Sequence, residues 1–145
     1  LRLLPLPLLS WRIFNDSTIE SITFNALQKN WVHKEDYHLQ VANKFVIITD
    51  INLKIQFATK EISELTGYHP TEIIGQSPKM FQGAKTDLQV SNEIRQAILN
   101  KVPFEKNVIN YCKDGSLYKC HIKGFPVFND KGEVTNFIAF EKIAA

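Results

Sequence analysis

The sequence predicts an α+β domain: a five-stranded antiparallel sheet with helices on one face, preceded by an N-terminal helical extension. Three observations predict it. The apolar period changes from helical to strand-like at Lys44. Two strand-like runs precede a helical stretch, and three follow it. The last three runs are joined by Asp114-Gly115 and by Asn129-Asp130-Lys131-Gly132, both of which are hairpin turn chemistry.

The elements follow in order. Residues 1–43 form the extension, a lid or dimerisation element, and residues 44–145 the domain. The extension opens with an apolar arm, Leu1–Leu9, interrupted by Pro5 and Pro7. The arm superficially resembles a signal peptide, but the prolines break it and Ser10-Trp11-Arg12 is a poor cleavage site, so an arm packed on another surface is expected. Ser17 and Glu20 have capping-box spacing, and Ile19, Ile22, Ala26 and Leu27 then fall on one helical stripe. A second short helix is expected around residues 34–42, with Trp31 between the two. Such short helices cannot stand alone, so the stripe must cover another surface. Phe45–Thr49 and Leu53–Ala58 are strands joined by a turn at Asp50-Ile51-Asn52. A helix over 60–66 ends at Gly67, and a helical turn over 71–74 ends at Gly75. After a loop, 76–85, Thr86 and Gln89 suggest a capping box for the best helix of the chain, whose stripe is Val90, Ile94, Ala97 and Ile98. Strands over 105–112, 117–127 and 133–143 complete the sheet.

Composition narrows the function. The chain has 145 residues, enough for one domain with a core and no disulfide or metal staple. Its formal net charge of +2 gives no general electrostatic reason to bind nucleic acid or an acidic membrane. No apolar run approaches the roughly 20 residues that span a bilayer. Cys112 and Cys120 lie several residues apart along neighbouring strands, beyond the ~7 Å Cα separation a disulfide tolerates. Two free thiols and a reducing, cytoplasmic compartment are therefore expected. There is no Gly-rich phosphate loop, H-E-x-x-H pattern or nucleophile elbow, and no enzymatic activity is expected.

The order of elements, with Leu65-Thr66-Gly67-Tyr68, Gly75 and Lys113-Asp114-Gly115-Ser116, resembles a PAS domain over roughly residues 44–143. Within that superfamily the chain looks most like the LOV branch, the flavin-binding photosensors. Their loop G-x-N-C-R-F-L-Q, followed by G-x-x-T-D, is matched in spacing by Gly75-Gln76-Ser77-Pro78-Lys79-Met80-Phe81-Gln82 and Gly83-Ala84-Lys85-Thr86-Asp87. The resemblance places Pro78 where the branch has its adduct-forming cysteine, so it implies that no covalent flavin adduct forms. The two flavin-reading asparagines fall at Asn110, which matches, and Cys120, which does not. The last-strand glutamine falls at Glu141, the phosphate-contacting arginines at Lys79 and Arg95, and Gln82 matches its counterpart. The implied pocket is therefore Lys79, Gln82, Arg95, Asn110, Cys120 and Glu141. A thiol at Cys120 cannot supply an amide's donors and acceptor, which leaves flavin-ring polar atoms underserved. Structural roles are the alternative: Gln82 fixing its loop, Asn110 satisfying backbone groups, and Arg95 on a solvated helix face. Heme is not expected, because residues 86–101 contain no His, His69 sits beside Pro70 in a loop, and His33 and His38 lie outside the core fold.

If Asn110 and Cys120 face the helices, alternation sends Val108, Cys112, Tyr118, Ile122, Phe137, Ala139 and Glu141 inward. It sends Ile109, Tyr111, Leu117, Phe125, Ile138 and Phe140 outward. The outer face is then apolar too and needs a cover, from the extension of the same chain or from a second copy in a homodimer. Glu141 has two readings. In an apolar pocket its carboxyl would be a neutral donor able to read a ligand's carbonyl, or would pair with Lys or Tyr118. The favoured reading is a solvated strand end beside Lys142, since carboxylates are rarely buried unless paired. The expected function is a non-catalytic sensory or interaction module for signal transduction, binding a small molecule or a protein. A non-covalent flavin sensor of light or redox state and a pure dimerisation scaffold are the alternatives.

Overall fold

A computed structural model describes Leu27, Lys29, Trp31 and residues 45–144. The rest of the extension, including the Ile19–Ala26 stripe and the helix expected at 34–42, lies outside the described residues. The elements run β1 (Phe45–Asp50), β2 (Ile55–Ala58), α1 (Lys60–Thr66), α2 (Pro70–Ile73), a 3-10 turn (Pro78–Phe81), α3 (Leu88–Leu99), β3 (Phe104–Tyr111), β4 (Leu117–Phe128) and β5 (Val134–Ile143). The strands form one antiparallel sheet in the order β2-β1-β5-β4-β3. The sheet closes by pairing the first strand with the last, Ile47 opposite Ala139 and Thr49 opposite Phe137.

Local chemistry explains the connections. In the β1–β2 turn, Asp50 Oδ1 accepts from the N–H groups of Asn52 and Lys54 at 2.8 and 3.0 Å. The turn holds Leu53 at φ 62, a left-handed conformation that leucine seldom adopts. Gly67, at φ 78, ends α1 and donates to Ser63 O. His69 caps α2, with Pro70 at its first position and Glu72 accepting from the His69 N–H at 2.7 Å. The long helix starts one residue later than the expected Thr86–Gln89 box would place it. Asp87 is the cap, accepting from the Gln89 N–H at 2.8 Å. Thr86 is unavailable because its hydroxyl donates to Ile109 O and accepts from the Gly83 N–H. That hydroxyl thereby ties the start of α3 to β3. Tyr111, assigned outward by alternation, also turns to this loop, its hydroxyl accepting from the Lys85 N–H at 2.7 Å.

Both faces of the sheet carry a core. On the helical face, Ile47, Ile55, Ile62, Ile73 and Phe81 pack together beneath α1, α2 and the 3-10 turn. On the other face, Val46, Ile48, Phe57, Val127, Ile138 and Phe140 pack with Trp31 of the extension, joined by Leu27 and Phe125. Trp31 is only 4% exposed, and its indole N–H donates to Asn136 Oδ1 at 3.0 Å. The outward assignment of Phe125, Ile138 and Phe140 is the arrangement that forms. Leu27 and Trp31 of the same chain lie on it.

Candidate functional site

The two cores leave one part of the helical face unfilled. The stripe of α3 does not seal onto the sheet: Val90, Ile94, Ala97 and Ile98 are all half-buried, and no residue of the helix is fully buried. Between α3 and the sheet lies a cavity of about 90 Å³. Ile94 and Ile98 form its helical wall, and Pro78 and Leu53, from the 3-10 turn and the β1–β2 turn, line it too. The sheet contributes Ile47, Ile122, Phe137 and Ala139, with Phe104 from the edge strand. Gly124 is required here because an added methyl would fall on the Phe104 ring, which lies across it.

Two polar side chains interrupt this apolar lining. Glu141 is 6% exposed, so the solvated strand end favoured from sequence does not form. The sheet extends past it to Ile143, and its place opposite Ile122 and Phe45 turns it inward. Its Oε1 accepts from the Cys120 thiol at 3.3 Å. Burial pushes the Glu141 carboxyl up to about 7, and the Cys120 hydrogen bond opposes that rise. Burial first, and then the nearby Glu141 charge, push the Cys120 thiol and the Tyr118 phenol upward, so both stay protonated. A thiol held in that form is a donor and not a nucleophile.

Thr49 is the second polar group, and sequence reasoning missed it. It is 5% exposed, lines the cavity, and its hydroxyl has no hydrogen-bond partner among the described residues. Alternation along β1 from Ile47 would have turned it inward, but that signal is readable only once the β1–β5 register is known. An unpaired buried hydroxyl costs about 1–3 kcal/mol. Thr49→Val, which keeps the shape and removes the hydroxyl, is expected to stabilise the ligand-free protein by about 1–2 kcal/mol in urea denaturation. A loss of stability would mean that the hydroxyl has a partner after all.

The six residues implied by the LOV resemblance do not all line the cavity. Glu141 lines it, and Cys120 sits beside it as hydrogen-bond donor. Asn110 is buried with its amide 3.5 Å from the Tyr118 hydroxyl. Gln82 Oε1 accepts from the Ser91 hydroxyl at 3.2 Å, which ties its loop to α3. Lys79 and Arg95 are exposed, on the 3-10 turn and on α3. Gln82 thus bonds to the long helix, Arg95 lies on its exposed face, and the Asn110 amide meets the Tyr118 side chain.

This arrangement does not fit a flavin ring. The isoalloxazine edge presents alternating donors and acceptors, and the cavity offers one carboxyl and one hydroxyl amid hydrocarbon. At about 90 Å³ the cavity is smaller than one that takes benzene, so an occupant of that size or larger enters only as the half-buried α3 shifts off the sheet. Cys112 donates to Leu65 O at 3.3 Å, and its partner on the next strand is not Cys120, which pairs with Val108. Among the described residues, no three His, Cys, Asp or Glu side chains group to hold a metal, and no helix is long and apolar enough to cross a membrane.

Comparison with known proteins adds an independent line. The sequence profile of the PAS domain matches residues 43–142. The chain is similar to the nitrogen fixation regulatory protein of Klebsiella pneumoniae, 27% identical over 104 residues, covering 72% of this chain and 21% of that protein. It is similar to Protein TWIN LOV 1 of Arabidopsis thaliana, 40% identical over 88 residues, covering 60% of this chain and 22% of that protein. The chain thus spans about a fifth of the length of these relatives. Among solved structures, the light state of the blue-light photoreceptor Aureochrome1 LOV superposes with a TM-score of 0.69 at 28% identity, covering 75% of this chain and 88% of that one.

Proposed function

The chain belongs to the PAS domain family, and from that premise we propose that residues 44–145 are a non-catalytic sensory module whose α3–sheet cavity receives a small, largely apolar molecule. One observation carries the reading. The lining of the cavity is apolar yet half-exposed on both walls, Ile94 and Ile98 on the helix against Ile122, Phe137 and Ala139 on the sheet. Filling it would bury that surface at about 25 cal/mol per Å². A solid scaffold would have closed the same gap with side chains, since interiors pack to crystal-like density.

Transmission of the signal is part of the proposal. The Thr49 side chain lines the cavity, while its carbonyl accepts from Asn136 Nδ2 at 3.1 Å. Asn136 in turn holds Trp31. This chain of contacts supports a lid role for residues 1–43, biased by what occupies the cavity, provided that the occupant binds the two lid states unequally. The covered outer face favours packing of the lid on its own sheet over pairing of two copies through that face.

A non-covalent flavin is the second reading. The likeness to TWIN LOV 1 and to the Aureochrome1 LOV domain favours it; the chemistry of the cavity does not. The purified chain separates the two. Its absorbance is expected to lack a flavin band and to gain none after flavin mononucleotide is added and removed by gel filtration. Its melting temperature is expected to rise with ethylbenzene. A retained flavin band would establish the second reading, and no rise with any neutral probe would favour a solid scaffold.

A further inference from the structure

We infer that the cavity selects a neutral molecule, apolar along its length, that carries a carbonyl oxygen for Glu141 or Thr49 to donate to. This rests on the small-molecule reading of the cavity and narrows it to a chemical class. The two polar groups mark its opposite ends. Thr49 pairs with Phe137 and Phe45 pairs with Glu141, so they stand four residues apart along β1, roughly 13 Å. Between them the sheet presents Ile47 and Ala139, also paired. A ligand lying in this slot meets hydrocarbon in the middle and an O–H group at an end.

Both ends are donors. The Thr49 hydroxyl is buried with no partner among the described residues, and an acceptor oxygen would satisfy it. Glu141 already receives the Cys120 thiol on one oxygen, and burial favours its neutral form, whose O–H needs an acceptor. Among the described residues, the groups packed around it do not supply a counter-charge. From β4 it meets Ile122, Cys120 and Tyr118, and from β1 Phe45, while Ile94 and Ile98 of α3 line the same cavity. Lys106 of β3 lies in the same row of the sheet, but its ammonium pairs with Glu93 of α3. A cationic or an anionic ligand alike would have to shed its hydration into this hydrocarbon, a cost that a neutral ligand does not meet.

A series of near-equal shape tests the selection: acetophenone, ethylbenzene, benzylamine and benzoate, titrated into the full chain and followed by NMR. At pH 6, acetophenone is expected to bind about tenfold tighter than ethylbenzene, the worth of one hydrogen bond in a desolvated site. Benzylamine and benzoate are expected to bind more weakly than either. The advantage of acetophenone should shrink above pH 7 as Glu141 loses its proton, and E141Q, which keeps a donor, should hold it constant with pH. In the double variant T49V/E141L the advantage should vanish while ethylbenzene still binds. Equal affinity of ethylbenzene and acetophenone at pH 6, or tighter binding of benzylamine, would overturn the inference and leave the small-molecule reading standing. Binding of none of the four would overturn that reading itself.

Discussion

Trp31→Ala is expected to destabilise the protein by about 3–5 kcal/mol, the range for removing a buried large aromatic from a core. The residue is buried among Val46, Ile48, Phe57, Ile138 and Phe140, so truncation opens a cavity on the outer face of the sheet. It also strips Asn136 Oδ1 of the indole donor. Trp31→Phe separates these contributions. It keeps most of the apolar contact and loses the hydrogen bond, and should cost about 1–3 kcal/mol. Urea denaturation reads both. An alanine variant within 0.5 kcal/mol of the parent, roughly the size of a surface effect, would show that the extension does not contribute to the fold. The lid proposed for residues 1–43 would then have no anchor.

Glu141→Gln is expected to remove most of the pH dependence of stability between pH 4.5 and about 7. The sign follows from burial. The folded carboxyl titrates at about 7 against an ordinary 4.5, so the folded protein holds a proton that the unfolded chain has released. The stabilisation is complete below pH 4.5 and is lost as pH rises through the folded value. At 1.36 kcal/mol per pH unit the loss amounts to about 3 kcal/mol by pH 8. Glutamine cannot ionise. The variant should therefore match the parent near pH 5 and exceed it at pH 8 by up to about 3 kcal/mol. Parallel pH profiles for the two proteins would mean that Glu141 is solvated or paired in solution.

Much of this fold is legible in the sequence because its punctuation is chemical. Gly67 and Gly75 stop helices, Asp114-Gly115 and Asn129–Gly132 turn hairpins, and the strands between them carry the β-rich runs. The five strands fall within one or two residues of their expected ends. The misplaced cap of α3 shows the limit. Thr86 and Asp87 are both good caps by sequence, and only the nearby Ile109 carbonyl decides between them. The site was less legible for the same reason. Family position pointed to Lys79 and Arg95, whose side chains reach solvent, and passed over Thr49, whose role depends on a pairing between strands almost ninety residues apart. Glu141 was singled out, but its burial depends on the sheet continuing beyond it and on the Cys120 thiol next to it. Pro78, which the LOV loop resemblance aligns with the family's reactive cysteine, is among the residues that line the cavity.

The cavity between α3 and the sheet is the proposed binding site. The most direct measurement is a methyl NMR spectrum of the chain with labelled isoleucines, recorded while acetophenone is added. Ile47, Ile94, Ile98 and Ile122 line the cavity, and their methyl signals are expected to shift together and saturably. Ile48 lies in the outer-face core and Ile62 on the buried side of α1, and both should stay in place. Shifts confined to exposed residues such as Ile51 and Ile74, or no saturable shift at the four cavity positions, would contradict the account.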